Sequence, residues 1–564
     1  MSIAGDTSPR IPGFNSYSET VLSPRRSGIA WQVATNPGNV TVPSATGTNS
    51  VAIGNSSATG IESVAIGGAG ASTGRAIAIG WGANASSGST NNANIAIGYN
   101  ASNSANSRMV VIGDASSTSS VNASGVIIGS GSNCNGSSMI LIGNQISTSG
   151  ASTNNNIVMH TGSSYPVGAN TANAIYIGIA PGAQSAASNS IAIGRATSAL
   201  GTTSVSIGDT TTCAGNNAIA LGNAASAGGN NAVAIRGTAT PADSIAIRGT
   251  VNTGATNSIA IGVSSSVAAS VVDSIAIGNT AVINTGSANS IAIGPSTTIS
   301  ANVLTAVAIG NSATAGANST VAILGTANAA NGLSIRGTVN TGATSAVALQ
   351  GNVGVNAVAG IAIGSNAACN FDRAIAMGVA CTAAQQYTIA MGNNVNASAI
   401  NSIAIGTLSS TEFPGQVNIG TARFSVGGDA AFSTVPMTMT TTTAAATNLA
   451  INNTNNATAT PTGTLVCTDN STYIFEVDIV AKSASNAGAA AWNLKFAFDR
   501  QGSAATSEIS ALSKTIMYTR GTTTGWDVTA TADTTNGRPN ITVTGAAGTT
   551  IRWVGNVKMT KVAH

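Results

Sequence analysis

The chain has 564 residues; only 7% are charged, 66 are Gly, and 20 basic against 17 acidic side chains leave a net charge of +3. Globular proteins carry about 25% charged residues and nucleic-acid binders a basic stripe, so this composition argues against an ordinary globular domain and against nucleic acid as a partner. It also argues against disorder, because Ile and Val recur here on a strict beat that disordered segments lack. No run of about 18 apolar residues offers a membrane-spanning helix. The five Cys (Cys134, Cys213, Cys369, Cys381 and Cys467) are an odd count with no Cys-x-x-Cys pair. They read as small buried hydrophobes rather than as a disulfide framework or zinc site.

In chain order, residues 1–45 come first. Pro9-Arg10-Ile11-Pro12 and Pro24-Arg25-Arg26 interrupt any regular element. Arg10, Arg25, Arg26 and Trp31 gather charge and aromaticity in a neutral chain, so this stretch is either an attachment segment or a floppy terminus.

Residues 46–427 repeat one unit. It appears as Ser50-Val51-Ala52-Ile53-Gly54, returns as Ser190-Ile191-Ala192-Ile193-Gly194 and Ser402-Ile403-Ala404-Ile405-Gly406, and ends at Gln416-Val417-Asn418-Ile419-Gly420. Counting degenerate copies such as Asn156-Ile157-Val158-Met159-His160, there are about 26 units. The spacing is 14 residues from Gly364 to Gly420 and ranges from 12 to 18 elsewhere. Small, branched, small, branched, Gly is a period of two, which predicts a β-strand. The intervening Ser, Thr, Asn, Ala and Gly are turn residues, with room for a second, weaker strand. One such coil cannot bury its Ile pair alone, so coils must stack as a solenoid. At about 4.8 Å per coil, the shaft would be on the order of 125 Å long.

The expectation is that the Ile-x-Ile face lies inside as two aliphatic ladders, each buried Ile worth roughly 1.5–3 kcal/mol. The Ala, Ser and Gly stripe would then face neighbouring subunits about a threefold axis. The Gly closing each unit reads as a positive-φ position or one with no room for a Cβ. His160, Arg236, Arg248, Leu324, Arg336 and Gln350 are the exceptions. A Gly follows each of the three arginines, which predicts a turn shifted by one residue. These arginines are either a binding stripe or, the commoner outcome, solvated charges on a duplicated segment: 247–256 recurs identically at 335–344.

Residues 428–462 are Thr- and Asn-rich and read as a neck or linker. Over 463–564 the strands lengthen. Tyr473, Phe475, Val477 and Ile479 alternate with Glu476 and Asp478; Trp492, Leu494, Phe496 and Phe498 alternate with Asn493, Lys495 and Asp499. Trp526 to Ala530, an Asn536-Gly537 turn and Ile541 to Val543 form a hairpin pattern. Ile551, Trp553, Val557 and Met559 close a β-sandwich of six to seven antiparallel strands.

The string Asn-Ser-Ile-Ala-Ile-Gly at 257–262, 289–294 and 401–406, on a 14-residue period, resembles the head repeat of trimeric autotransporter adhesins. The resemblance covers about residues 50–427 and implies a left-handed parallel β-roll in a homotrimer. Those adhesins carry a signal peptide and a four-stranded membrane anchor; this chain shows neither and finishes Lys561-Val562-Ala563-His564. The same roll occurs in bacteriophage tail fibres. Trp526-Asp527-Val528, Ala532 to Gly537 and Ile551 to Val554 resemble a small β-domain that ends many phage tail and prophage proteins. The expected fold is therefore all-β: a long left-handed parallel β-roll shaft in a homotrimer, with a C-terminal antiparallel β-sandwich.

The expected function is that of a structural phage tail fibre. Residues 1–45 would dock to a tail or baseplate protein of the virion through Arg10, Arg25, Arg26 and Trp31. The C-terminal domain would bind a host surface glycan or outer-membrane receptor, with Tyr518, Arg520, Trp526 and Arg538 as candidates; for Trp526 a core place in phase with Val528 is the commoner outcome, and for Arg520 and Arg538 a solvated face. A bacterial surface adhesin and a capsule depolymerase are the alternatives. The enzyme reading is the weaker one. A glycosidase needs two facing carboxylates, and Glu62, Asp114, Asp209, Asp243, Asp273, Asp372 and Glu412 are scattered over different coils. With His160 and His564 the only histidines, no Ser-His-Asp set assembles. No catalytic, cofactor or metal residue is expected.

Overall fold

In the computed structural model, the described residues are 29–31, 43–86, 93–104, 108–118, 124–148, 154–161, 165–167, 172–179, 188–420, 424, 428–451, 463–484 and 487–564. They are β-strands and turns, with one 3-10 turn at Ala504–Thr506. The chain forms two compact units, residues 1–280 and 281–564.

The first unit is a parallel β-solenoid. Val51–Ile53, Val64–Ile66 and Ile77–Ile79 pair in register, one per coil. A second short strand in each coil does the same, as Ser57–Ala58 with Gly70–Ala71. Ile29–Trp31 pairs in parallel with Val51–Ile53. The stacked strands thus begin within the stretch expected to be the attachment segment.

The interior reverses the expected faces. Ala52, Ala65 and Ala78, with Ala58, Ala71 and Ala85 from the second strand, are fully buried, while Val51, Ile53, Val64 and Ile66 are only half-buried. The reason is volume. Both strands of the coil send side chains into one narrow space, and Ala facing Ala fills it. The repeat Ser shares the inner face, one period of two before the Ala. Its hydroxyl donates to the turn carbonyl three residues back, Ser50 to Gly47 and Ser63 to Gly60, each at 2.7 Å. The buried polar group is thereby satisfied. The Ile and Val of each unit are left pointing out.

Where the repeat lengthens, the interior grows. Between Ala96 and Ala192 the inward position is held by Val111, Ile127, Leu141, Val158 and Tyr176, stacked in register. Where the repeat shortens to 12 residues, one corner shrinks. Four residues link Ile219–Leu221 to Ser226–Ala227, but only Arg236 and Gly237 link Val233–Ile235 to Thr238–Ala239. The turn is therefore two residues shorter, not shifted by one. Arg236 and Arg248 occupy the left-handed region there, at φ of 50° and 56°, with their side chains exposed.

The second unit contains further coils, from Val282–Ile283 to Val417–Gly420. Gly364, Gly378, Gly392 and Gly406 stack in one column at φ of 117–139°. A Cβ on any of them would fall 1.8–2.1 Å from the carbonyl oxygen of the next Gly in the column. Only Gly fits there.

Val417–Gly420 also pairs antiparallel with the first strand of a terminal domain, Ile419 opposite Phe432. That domain has eight strands among the described residues: β1 (Ala430–Thr441), β2 (Ala446–Asn448), β3 (Ser471–Ser483), β4 (Ala489–Arg500), β5 (Glu508–Arg520), β6 (Asp527–Asp533), β7 (Arg538–Thr544) and β8 (Ile551–Ala563). One antiparallel sheet runs β1-β8-β3-β4-β5 and a second β2-β7-β6. Both sheets bury residues in one cluster. Phe475 stacks on Phe496 at 5.0 Å and Trp553 on Trp492 at 5.6 Å between ring centroids, and Trp526 packs against Trp553 at 5.9 Å with its ring tilted by 55°. The expected neck or linker over 428–462 is corrected by β1 over Ala430–Thr441. Its Val435, Met437 and Met439 are buried, and it pairs with β8 along its whole length. Residues 452–462 lie outside the described residues.

Candidate functional site

The outward Ile and Val form ladders. In the second unit, Ile361, Ile375, Ile389 and Ile403 are register partners, as are Ile363, Met377, Met391 and Ile405. Met377, Met391 and Ile405 are 36–37% exposed. In the first unit, Ile128, Ile140, Met159, Ile177 and Ile207 are exposed in the same way. A contiguous apolar surface of this kind marks an interaction site. Its residues hold no nucleophile, acid or base, so what it can do is pack. Parallel strands repeat at about 4.8 Å, and only a surface with the same repeat can meet the ladder in every coil.

The corners carry polar ladders instead. The residue before the repeat Ser, or the Ala in its place, sits in the left-handed region coil after coil, as at Asn217, Asn231, Asn257 and Asn401. Asn tolerates that conformation well. The Asn231 amide donates to Asp243 at 2.8 Å, and that of Asn257 to Asp273 at 3.0 Å. Glu62 pairs with Arg75 at 3.2 Å, and Asp209 with Arg195 at 2.5 Å, across neighbouring coils in solvent. These scattered carboxylates thus have structural partners. His160 stands in the Gly column of its coils and is buried.

The receptor-binding candidates divide. Tyr518 and Arg520 are exposed on β5, an edge strand exposed on both faces and interrupted by two bulges against β4. Trp526 and Arg538 are corrected. Trp526 is 7% exposed and belongs to the core around Trp553. Arg538 is 2% exposed; it lies opposite Asp533 across the β6–β7 turn and donates to it at 2.8 Å. Burial opposes the charge on Asp533. Hydrogen bonds from Asn536 and Arg538 outweigh it and hold the carboxyl below its usual range. Arg10, Arg25 and Arg26 lie outside the described residues. Trp31 lies on the strand Ile29–Trp31, its side chain outside the description.

Sequence reasoning missed the cluster around Glu412. This residue sits in the last coil beside Phe413, whose ring is part of the terminal core. The Glu412 carboxylate accepts from Tyr473 at 3.1 Å and Thr468 at 3.2 Å and pairs with the buried Lys561. Burial pushes the Tyr473 phenol and the neighbouring Cys467 thiol well up, so both stay neutral. An acidic and an aromatic residue side by side, in a repeat otherwise built of small residues, was the available signal. The cluster ties the last coil to the terminal domain. All five cysteines are buried, and burial raises the thiols of Cys134, Cys213 and Cys369 as well, which makes them unreactive. An open hollow of about 460 Å³ is lined by Asn470, Thr472, Asp499, Gln501 and His564, with Val562 and Ala563. Asp499 is the one carboxylate side chain among them.

Six overlapping or separate segments match the YadA head domain repeat: 45–69, 58–83, 185–211, 214–235, 372–394 and 383–409. The chain thus carries head repeats of the YadA type, distributed over both units. No curated protein matches the chain. Among solved structures, the crystal structure of the Acinetobacter baumannii phage AM24 tailspike protein aligns at 10% identity, covering 84% of this chain and 78% of the other, with a TM-score of 0.15. At that score nothing is inferred from it.

Proposed function

We propose that the chain is a structural subunit of a homotrimeric fibre, a phage tail fibre that attaches the virion to the host cell surface. The observation that carries the assembly is the outward Ile ladder, because a second and third copy of the roll supply the matching repeat. The YadA-type repeats support an adhesin-like role. The resemblance of the last hundred residues to domains that end phage tail proteins supports the virion. On this reading the stacked coils carry three terminal domains, and three weak contacts to a host glycan or outer-membrane receptor multiply. Residues 1–45 dock to a tail or baseplate protein. On this reading the protein binds and does no chemistry of its own; Asp499 is the one carboxylate side chain lining the hollow, where a glycosidase uses a facing pair.

Sedimentation at micromolar concentration tests the assembly, with a trimer expected and a monomer excluding it. Negative-stain microscopy of particles labelled against residues 463–564 tests the role. Label at fibre tips is expected, and label on bacterial cells free of phage would replace the tail fibre with a cell-surface adhesin. Release of oligosaccharide from capsule by the purified protein would overturn the non-catalytic reading.

A further inference from the structure

The outward ladder does not stop at the last coil. Met377, Met391, Ile405 and Ile419 are register partners in turn. Ile419 is opposite Phe432 of β1, Phe432 is opposite Thr560 of β8, and Thr560 is opposite Ile474 of β3. Directly opposed residues share a face of the sheet. One column therefore runs from the roll onto the outer face of the five-stranded sheet, away from the terminal core. Exposure rises along it, from 36% at Ile405 to 50% at Ile419, 55% at Phe432 and 62% at Ile474.

The same outer face carries a second apolar row. Val554, Val480 and Tyr518 are each about half exposed and are linked through the pairings of β8, β3, β4 and β5. Between the apolar rows lie Glu476, Asp478, Lys495 and Lys558, two acids and two bases. They neutralise one another: Lys558 meets Asp478 at 2.9 Å, and Lys495 meets Glu476 at 3.6 Å. A face that meets copies of itself must avoid like charges at the contact, and between its apolar rows this one does so internally; Lys482, Arg552 and Arg520 share the face one row beyond Val480, exposed, and mark the rim of the contact.

We infer that the outer face of β1-β8-β3-β4-β5 is covered by other copies of this chain, as the direct continuation of the inter-subunit surface of the roll. The terminal domains are then held together as one body rather than displayed as three free heads. Tyr518 belongs to that contact, and host recognition falls to the opposite side, where β2-β7-β6 faces out. The inference rests on the homotrimer proposed above.

Single cysteines in the full-length chain test it, since the five native thiols are buried. Disulfide geometry is narrow, so a short bis-maleimide linker is the probe. Ile405→Cys reports on the roll, Ile474→Cys and Val480→Cys on the terminal sheet, and Thr531→Cys, exposed on β6, serves as control. Covalent dimers are expected from the first three and not from the last. Linkage at Ile405→Cys but at neither terminal position would overturn the inference and leave the trimer standing, with a host-surface partner as the occupant of that face. No linkage at any of the three overturns both. Linkage at the terminal positions alone overturns the continuity.

Discussion

The last coils of the roll and the terminal domain are joined by strand pairing, yet they solve burial in opposite ways. The coils keep Ala inside and turn Ile out; the terminal domain keeps its largest side chains, Phe, Trp and Leu, inside and turns out charged residues together with two apolar rows. The difference lies in thickness. Two strands of a narrow coil leave room for a methyl group, whereas two sheets packed face to face lie about 10 Å apart and enclose whole aromatic rings. A core of large side chains makes a domain self-sufficient. A core of Ala does not, because each Ala buries little apolar area, and the remaining apolar surface must be covered from outside.

The largest expected effect tests self-sufficiency. Trp553→Ala removes a fully buried ring that stacks on Trp492, packs against the tilted ring of Trp526 and donates to Thr441 at 2.9 Å. It should cost about 3–5 kcal/mol. Denaturant unfolding followed by Trp fluorescence should give the same loss at every protein concentration. Ile405→Ala is the counterpart on the roll. Its cost should appear only when the chain is concentrated enough to associate. Equal costs at all dilutions would break the contrast between the two regions.

Next comes the joint. Glu412→Ala leaves the Lys561 ammonium buried without its carboxylate. Removing one partner of a buried pair costs about 3–5 kcal/mol, and the partial exposure of Glu412 places this one at the low end, about 3 kcal/mol. Limited proteolysis should cut the variant near residues 408–416 faster than wild type. Unchanged cutting would mean that the strand pairing of Ile419 with Phe432 holds the two regions together alone.

Within the roll, Ala376→Leu and Ile375→Leu sharpen the reversal of faces. The first forces four carbons into a space filled by a methyl group and should cost about 1–3 kcal/mol. The second alters a half-buried outer residue and should stay within about 0.5 kcal/mol in dilute solution. The opposite order in thermal melts would restore the Ile-inside arrangement.

These faces show how far the sequence was legible. Period two marked the strands in both regions. In the terminal domain, Glu476 and Asp478 labelled the wet side, so Tyr473, Phe475, Val477 and Ile479 were placed correctly in the core. The roll has almost no charge to label either side, and alternation alone does not say which face is in. The strand β1 was hidden by low-complexity Thr, although Val435, Met437 and Met439 alternate and Thr itself favours strands. The charge of Arg538 pointed to solvent, because its partner Asp533 became visible only when the hairpin register was known. The register that carries the apolar column onto the terminal sheet is likewise a property of the pairing, not of any local motif.

The smallest effect is a pH dependence that should separate the two regions. The Asp533 carboxyl is held below its usual range in the folded domain by Asn536 and Arg538, against the effect of burial. A depressed carboxyl contributes stability that is present above its unfolded value of about 3.9 and is lost as pH falls through the lower folded value. Asp478 adds in the same direction through its hydrogen bond from Asn493 and its pairing with Lys558, but in solvent and so weakly. Thermal melts from neutral pH down should therefore show wild type more stable than Asp533→Asn, with the gap closing on acidification. The roll coils, held by Ala packing and backbone ladders, should change less over the same range. A gap that persists at the lowest pH would assign the role of Asp533 to its hydrogen bonds rather than its charge, since both its oxygens accept and Asn turns one of them into a donor.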